Sequence, residues 1–281
     1  MDNNPFGVFG YSSVSCLGRD GERTRVARLL AKNHISIVGP RYIGKTVFAR
    51  ELCGLYSGGD GEITGSIYWD LGQRTPLADD DFYAQFAGVL GRGLKSISPE
   101  SSEKLINAKE NFHEEIHDVF DYLHEMGICV LVCLDSFDYL LGRGVMTRNV
   151  WDNLGALADD FKSIRYLAIS RRTLNELCWV PGSENSHFWK LFGTSPQLLK
   201  CMNDSDLEQF AQAFVANGIA IGTGFTRELW NWSGGIPPLV AALARDIWNI
   251  ADGSTTFDNE LVNRTATALL ASTDTVLLNL A

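Results

Sequence analysis

Apolar positions along this chain come first in short blocks and then at helical spacing, and the two patterns alternate. His34-Ile35-Ser36-Ile37-Val38 is a short, nearly continuous apolar run, and longer ones lie at 128–134 and 165–170. Runs of this length between polar turns read as strands buried on both faces. Counting 34–39, 65–71 and 197–201 as well, there are five candidate strands. Helical spacing fills the intervals 45–56, 79–94, 102–126 and 148–161. Within 102–126, Leu105, Phe112, Ile116, Val119, Phe120 and Leu123 fall on one stripe. Strand and helix in alternation predict an α/β fold, a mostly parallel sheet flanked by helices. After residue 203 the strand pattern stops. Asp204-Ser205-Asp206-Leu207-Glu208 has the N-cap and acidic first turn of a helix. The segments 204–217, 226–232, 237–251 and 257–280 all read as helical. The expected organisation is an α/β domain over 1–203 and an all-helical lid over 204–281, with no repeat and no low-complexity tract.

Candidate chemistry gathers at the ends of the strands. Gly39-Pro40-Arg41-Tyr42-Ile43-Gly44-Lys45-Thr46 fits G-x-x-x-x-G-K-[ST], the phosphate-binding P-loop, and it lies between a strand and a helix beginning near Val47, as the motif requires. The loop amides and the helix N-terminus attract a phosphate. Lys45 is expected to reach the β- and γ-phosphates, and the Thr46 hydroxyl to hold Mg²⁺. The apolar run 128–134 ends in Asp135, the Walker B pattern. Its strand is expected beside the P-loop strand, with Asp135 orienting Mg²⁺ through water. Many P-loop ATPases follow this acid with a glutamate that activates water. Here Ser136 stands there, and a serine is no general base near neutral pH. Asp138 is the nearest substitute carboxylate, with a helix or turn cap as its structural alternative. Binding is thus better supported than fast hydrolysis. The strand 164–170 exits through Ser170-Arg171-Arg172. Ligands of open α/β sheets bind off the carboxyl ends of strands, so Arg171 is a candidate γ-phosphate sensor acting by charge-assisted bonds. Trp232-Ser233-Gly234-Gly235-Ile236-Pro237-Pro238 opens a lid helix, where a first-turn proline is structurally ordinary.

Taken in order, these motifs resemble the STAND branch of the AAA+-like P-loop ATPases, the signal-transduction class of NACHT and NB-ARC proteins, and especially its archaeal and bacterial members. Cys16-Leu17-Gly18-Arg19-Asp20-Gly21-Glu22 is similar to that class's Gly-Arg-x-x-Glu motif near the adenine. Leu134-Asp135-Ser136-Phe137-Asp138 is similar to its Asp-Glu-Phe-Asp Walker B, Ser170-Arg171 to its sensor-1 pair, and Gly235-Ile236-Pro237 to its lid Gly-x-Pro. The resemblance implies ATP or ADP with Mg²⁺ as cofactors and Arg19 and Pro237 at the nucleoside. It also implies a switch in which ADP holds a closed state and ATP an open, oligomer-forming one. The chain has no room for the effector domain and sensor array of that class. Those functions are expected from a protein partner or from further chain, and a homo-oligomer is a further expectation. Two other readings stay open. One is an AAA+ ATPase of the origin-recognition or transposition-regulator type, and the other a non-hydrolysing, nucleotide-stabilised interaction module.

Composition narrows the partners. Net charge is −10 and the basic residues are dispersed, which argues against direct nucleic-acid binding and against anionic membranes. No apolar run reaches the ~20 residues of a membrane span. Met1-Asp2-Asn3-Asn4-Pro5 lacks the pattern of a signal peptide. Six scattered cysteines form no metal or disulfide spacing, so a reducing cytoplasm is expected. The apolar segment 275–281 reads as a partner surface or as a sign of a longer chain. His113-Glu114-Glu115-Ile116-His117 matches the H-E-x-x-H of zinc proteases. No third ligand follows it, and its histidines flank a core stripe, so surface histidines are expected instead.

Overall fold

The computed structural model describes residue 6 and residues 18–57, 61–142, 144, 146–179, 185–193, 196–250 and 257–271. In chain order the elements are α1 (Asp20–Leu30), β1 (Ile35–Val38), α2 (Lys45–Leu55), β2 (Gly65–Asp70), α3 (Asp79–Leu94), α4 (Pro99–Asn107), α5 (Phe112–Glu125), β3 (Val130–Asp135), α6 (Asp138–Gly142), α7 (Arg148–Asp160), β4 (Ile164–Ser170), α8 (Leu174–Leu177), a 3₁₀ turn at His187–Phe192, β5 (Gln197–Leu198), α9 (Asp204–Ala216), α10 (Phe225–Ser233), α11 (Pro237–Ile250) and α12 (Asn259–Ala271). The chain divides into two compact units. One comprises residues 24–40 and 49–198, the other residues 1–23, 41–48 and 199–281.

The first unit holds the sheet, whose five strands run in the order β2-β3-β4-β1-β5. Every pairing is parallel, with Val38 opposite Ser170, Leu134 opposite Ala168 and Asp70 opposite Asp135. One expectation is corrected here: β3, the Walker B strand, does not lie beside the P-loop strand β1, because β4 is inserted between them. β3 is buried along its whole length, and β4 is buried except at Arg165, as central strands covered on both faces require. β2 lies at the sheet edge and alternates buried and half-buried positions. Its Trp69 stacks on Phe86, with ring centroids 5.5 Å apart, and meets Phe82 of α3 at 5.3 Å.

The helix predicted over 102–126 is two helices. α4 starts earlier, at Pro99, with the Ser98 hydroxyl accepting from the Ser101 N–H, and it ends at Asn107. Asn111 adopts the left-handed conformation at the start of α5. The apolar stripe nevertheless holds, because Leu105, Ile116, Val119, Phe120 and Leu123 all reach the core. β5 has two residues rather than the five of 197–201.

The second unit carries the C-terminal helices around a core of Phe210, Phe214, Leu229, Val240, Ile247 and Val262. Phe6 stacks on Phe214 at 4.6 Å. α9 opens with a capping box: the Asn203 side chain takes the Asp206 N–H, and the Asp206 carboxylate takes the Asn203 N–H. α12 begins close to the expected start of the last helix; residues 272–281, including the apolar segment 275–281, lie outside the described residues.

Candidate functional site

The P-loop leaves β1 after the buried Val38, and the Gly39 N–H donates to Ser170 O at 3.4 Å. Pro40, Arg41 and Tyr42 are exposed. Two residues of the loop adopt left-handed backbone, Tyr42 at φ 64° and Gly44 at φ 85°. Such alternation turns successive N–H groups to one side, the geometry of an anion nest. Glycine meets this demand at Gly44 without strain, whereas Tyr42 meets it as an exposed side chain with Arg41 beside its ring. Lys45, Thr46 and Val47 form the first turn of α2 and are half-buried. First-turn amides have no intrahelical acceptor and stand at the positive end of the helix dipole. Loop and helix start together have the backbone geometry that suits a phosphate.

Arg19 is only 2% exposed. Its guanidinium donates to Glu22 Oε2 at 2.6 Å, to Ile43 O of the P-loop at 3.2 Å and to Lys200 O at 2.8 Å. Of the Gly-Arg motif, Cys16 and Leu17 lie outside the described residues. The arginine expected near the nucleoside thus spends its donors on protein oxygens, one of them in the loop itself. Gly235 of the Gly-x-Pro motif adopts φ 69°, and its carbonyl accepts from the Met202 N–H at 2.8 Å. A Cβ there would lie 2.3 Å from Met202 O, so only glycine fits. Pro237 is the first residue of α11 and half-buried, where its missing N–H costs nothing.

The carboxyl edge of the sheet brings Asp135, Ser170 and Arg171 to the same side, because all strands run parallel. Asp135 is 2% exposed. Its two oxygens are separately held: the Tyr68 hydroxyl donates to Oδ2 at 2.6 Å and the Ser136 N–H to Oδ1 at 2.7 Å. Burial first, and then the neighbouring Asp135 charge, push the Tyr68 phenol far above its ordinary range, so Tyr68 is a permanent donor. The Arg50 guanidinium lies over the Tyr68 ring, 4.8 Å from its centroid. Tyr68 is the residue that sequence reasoning passed over. Its signal is the alternation of β2, which puts Ser66, Tyr68 and Asp70 on the half-buried face. Ser136 itself adopts φ 60°.

Asp138 and Arg171 meet. The Arg171 Nε donates to Asp138 Oδ2, with the carboxylate side chain 5% exposed and the guanidinium 44% exposed. The Arg171 guanidinium also faces the Tyr139 ring at 5.3 Å. The candidate base and the candidate sensor are therefore each other's partners. Ser170 is fully buried, and its hydroxyl donates to Arg172 O at 2.6 Å.

A carboxylate and a threonine hydroxyl are hard oxygen donors, which suit Mg²⁺, and the loop suits phosphate. The H-E-x-x-H pair serves packing. His113 meets the Tyr83 ring at 5.3 Å and His117 the Phe161 ring at 4.8 Å. Among the described residues, no group of three or more His, Cys, Asp or Glu side chains could hold a metal ion. Among the same residues, no helix is long and apolar enough to cross a membrane.

No protein-family model matches the sequence, and no curated protein matches it. Solved structures do match by fold. The Walker-type ATPase PABY2304 of Pyrococcus abyssi aligns with TM-score 0.60 at 14% identity, over 90% of this chain and 73% of that one. The Aeropyrum pernix ORC2 protein in its ADPNP–ADP complexes aligns with TM-score 0.65 at 14% identity, over 92% and 71%. The Thermotoga maritima RuvB Holliday junction branch migration motor aligns with TM-score 0.52 at 13% identity, over 90% and 70%. Likeness at this level of identity speaks for architecture: this chain has the α/β P-loop NTPase fold, a parallel sheet flanked by helices and followed by C-terminal helices.

Proposed function

We propose that this chain is an ATP/ADP-binding regulatory ATPase that works as a nucleotide-dependent conformational or oligomerisation switch, with slow or partner-stimulated hydrolysis. The observation that carries the reading is the complete P-loop at the start of α2, in a fold whose Walker B strand ends in the buried, doubly held Asp135. In this reading Lys45 and the amides of the loop from Gly39 to Val47 hold the phosphates. Thr46 and Asp135 hold Mg²⁺, which when bound neutralises phosphate charge. Arg171 senses the third phosphate, and Arg19 and Pro237 shape the nucleoside side. The absence of an acid at Ser136, and the engagement of Asp138 by Arg171, both support slow turnover. The STAND type, a protein partner that supplies the effector or sensor part, and a place in prokaryotic defence signalling belong to this proposal by analogy with the class.

Likeness to the ORC2 and RuvB structures favours a second reading, an AAA+ ATPase acting on DNA-bound assemblies. The test is a denaturing extraction of the purified protein with the released nucleotide identified and counted, followed by Mg-ATP titration of wild type and Lys45→Ala. ADP near one per chain, or tight Mg-ATP uptake abolished by Lys45→Ala, supports the switch. An empty protein that takes up no Mg-ATP, or a Lys45→Ala variant that binds like wild type, overturns both readings. Stimulation of turnover by duplex DNA, with no change of oligomeric state on ATP binding, decides for the second.

A further inference from the structure

A cleft of about 480 Å³ opens beside the carboxyl end of β2, against α3. It lies wholly within the sheet-bearing unit, and no P-loop residue lines it. Ala84 and Gly88, one turn apart on α3, keep its wall low. Three arginines reach it from three elements: Arg50 from α2, Arg74 from the loop after β2 and Arg92 from α3. Two acids share the lining, Asp70 and Asp81, and each accepts hydrogen bonds from its own neighbours. Asp81 takes the Gln85 amide on Oδ1 and the Leu77 N–H on Oδ2, each at 2.9 Å. Asp70 Oδ1 takes the Gly72 N–H at 2.9 Å. Arg74 and Arg92 are both exposed and form no hydrogen bond or close ion pair among the described residues, although the Asp81 carboxyl pKa, lowered by its Gln85 and Leu77 hydrogen bonds, is lowered further by the Arg74 charge. With three guanidiniums to two carboxylates, the lining is rich in planar cationic donors.

Guanidinium forks match the paired oxygens of phosphate and carboxylate, and converging forks favour the more highly charged of the two. The volume falls within the ~300–1,000 Å³ of small-molecule sites. It far exceeds the ~30 Å³ share of one water, so a bare phosphate group would leave most of it unfilled. The arginines come from three elements around one open cleft rather than forming a stripe, and the chain's net charge is −10. Both facts disfavour an extended polyanion.

We propose that this cleft binds a small organic phosphate of about mononucleotide size, at a site separate from the P-loop. The ligand's phosphate lies against Arg74 and Arg92, and its organic part fills the trough over Ala84 and Gly88. Arg50 connects the cleft to the Walker B acid, because it covers the ring of Tyr68, whose hydroxyl holds Asp135. The site is thus placed to report a second small molecule to Asp135. Binding itself does not depend on the nucleotide reading of the P-loop.

The test is calorimetric titration of the full chain with inorganic phosphate, ribose 5-phosphate and adenosine 5′-monophosphate. It is run on Lys45→Ala protein and, in parallel, on wild type with saturating Mg-ADP. One of the two organic phosphates is expected to bind one per chain in both settings, more tightly than inorganic phosphate. Arg74→Ala and Arg92→Ala are each expected to weaken it by about tenfold or more, the usual consequence of losing a charge-assisted bond. Both side chains are exposed, so circular dichroism should show the fold unchanged. The proposal is overturned if no probe binds, if binding is indifferent to both arginine variants, or if Mg-ADP abolishes it. It is equally overturned if only a single-stranded oligonucleotide binds, with affinity falling steeply as salt rises, since that would mark a nucleic-acid surface.

Discussion

Replacing Arg19 by alanine separates two roles that the Gly-Arg motif could serve. A nucleoside contact predicts weaker ATP binding with unchanged stability of the empty protein. The structure predicts the opposite emphasis, because the guanidinium already makes three bonds to protein. The Glu22 bond is short, but that carboxylate is 26% exposed and close in sequence. Its partial screening holds it to about 0.5–1 kcal/mol. The two carbonyl bonds are charge-assisted, each worth roughly 1.5–3 kcal/mol at good geometry, and the longer one, at 3.2 Å to Ile43 O, belongs at the bottom of that range. A loss of about 3.5–5.5 kcal/mol follows. Domains of this size have only about 5–15 kcal/mol in total, so the unit built from residues 18–23, 41–48 and the C-terminal helices should melt well before the sheet. Arg19→Lys keeps the charge without the fork and should restore less than half. The assay is scanning calorimetry of the nucleotide-free protein alongside Mg-ATP titration. A stability loss under 1 kcal/mol in Arg19→Ala, together with a tenfold or larger loss of ATP affinity, would falsify the tether and restore the nucleoside contact.

Other outcomes can be checked in the same way. Tyr68→Phe removes one of the two bonds that fix Asp135, so Mg²⁺-dependent nucleotide affinity or turnover should fall several-fold while nucleotide binding in EDTA stays as in wild type. Equal losses with and without Mg²⁺ would show that Tyr68 acts only on the fold. Gly235→Ala should cost roughly 2 kcal/mol or more, from left-handed strain and the collision with Met202 O; an unshifted urea midpoint would contradict this. His34 accepts from the Tyr166 N–H at 3.0 Å, and burial, reinforced by Arg165, lowers its pKa to about 4. The unfolded chain, with a pKa near 6.5, binds the proton more readily. The stability linked to His34 is therefore complete above about pH 6.5 and is lost as pH falls toward 4, by about 3 kcal/mol in all. His34→Asn keeps an acceptor and should flatten that stretch of the urea-midpoint profile; curves that stay parallel would refute the assignment.

What could be read in the sequence, and what could not, follows from how far each signal reaches along the chain. The P-loop, β3 and β4 were legible because their patterns are local: a glycine loop of fixed spacing, and apolar runs that must be buried on both faces. α1 was missed because only Val26 and Leu30 of it are buried, too few positions to show a period. The break between α4 and α5 was missed because both halves share one apolar stripe, and the stripe says nothing of Asn111 turning left-handed. The insertion of β4 between β1 and β3 depends on pairing across more than a hundred residues. Apolarity marks a strand as central without naming its neighbours.

The same limit governs the site. Lys45, Thr46 and Asp135 announce themselves by motif, but what holds Asp135 in place does not. Tyr68 reaches it only because β2 and β3 pair in parallel with Asp70 opposite Asp135, which sets Tyr68 opposite Cys133 on the adjoining strand. Had β2 slipped by one residue, Tyr68 would have turned to the α3 face and Trp69 to the side of Asp135. Register is fixed there by Ile67 and Trp69 packing into the core. The apolar face of an edge strand thus positions a polar group on its other face, and with it the Asp135 carboxylate at the end of β3. An Ile67→Ala change, which touches none of the polar residues, should therefore loosen Asp135 as well as the core. It should lower Mg²⁺-dependent binding in proportion to its loss of stability. Tyr68→Phe should lower that binding with stability nearly intact, and the contrast between the two variants tests whether packing and positioning are linked through the register.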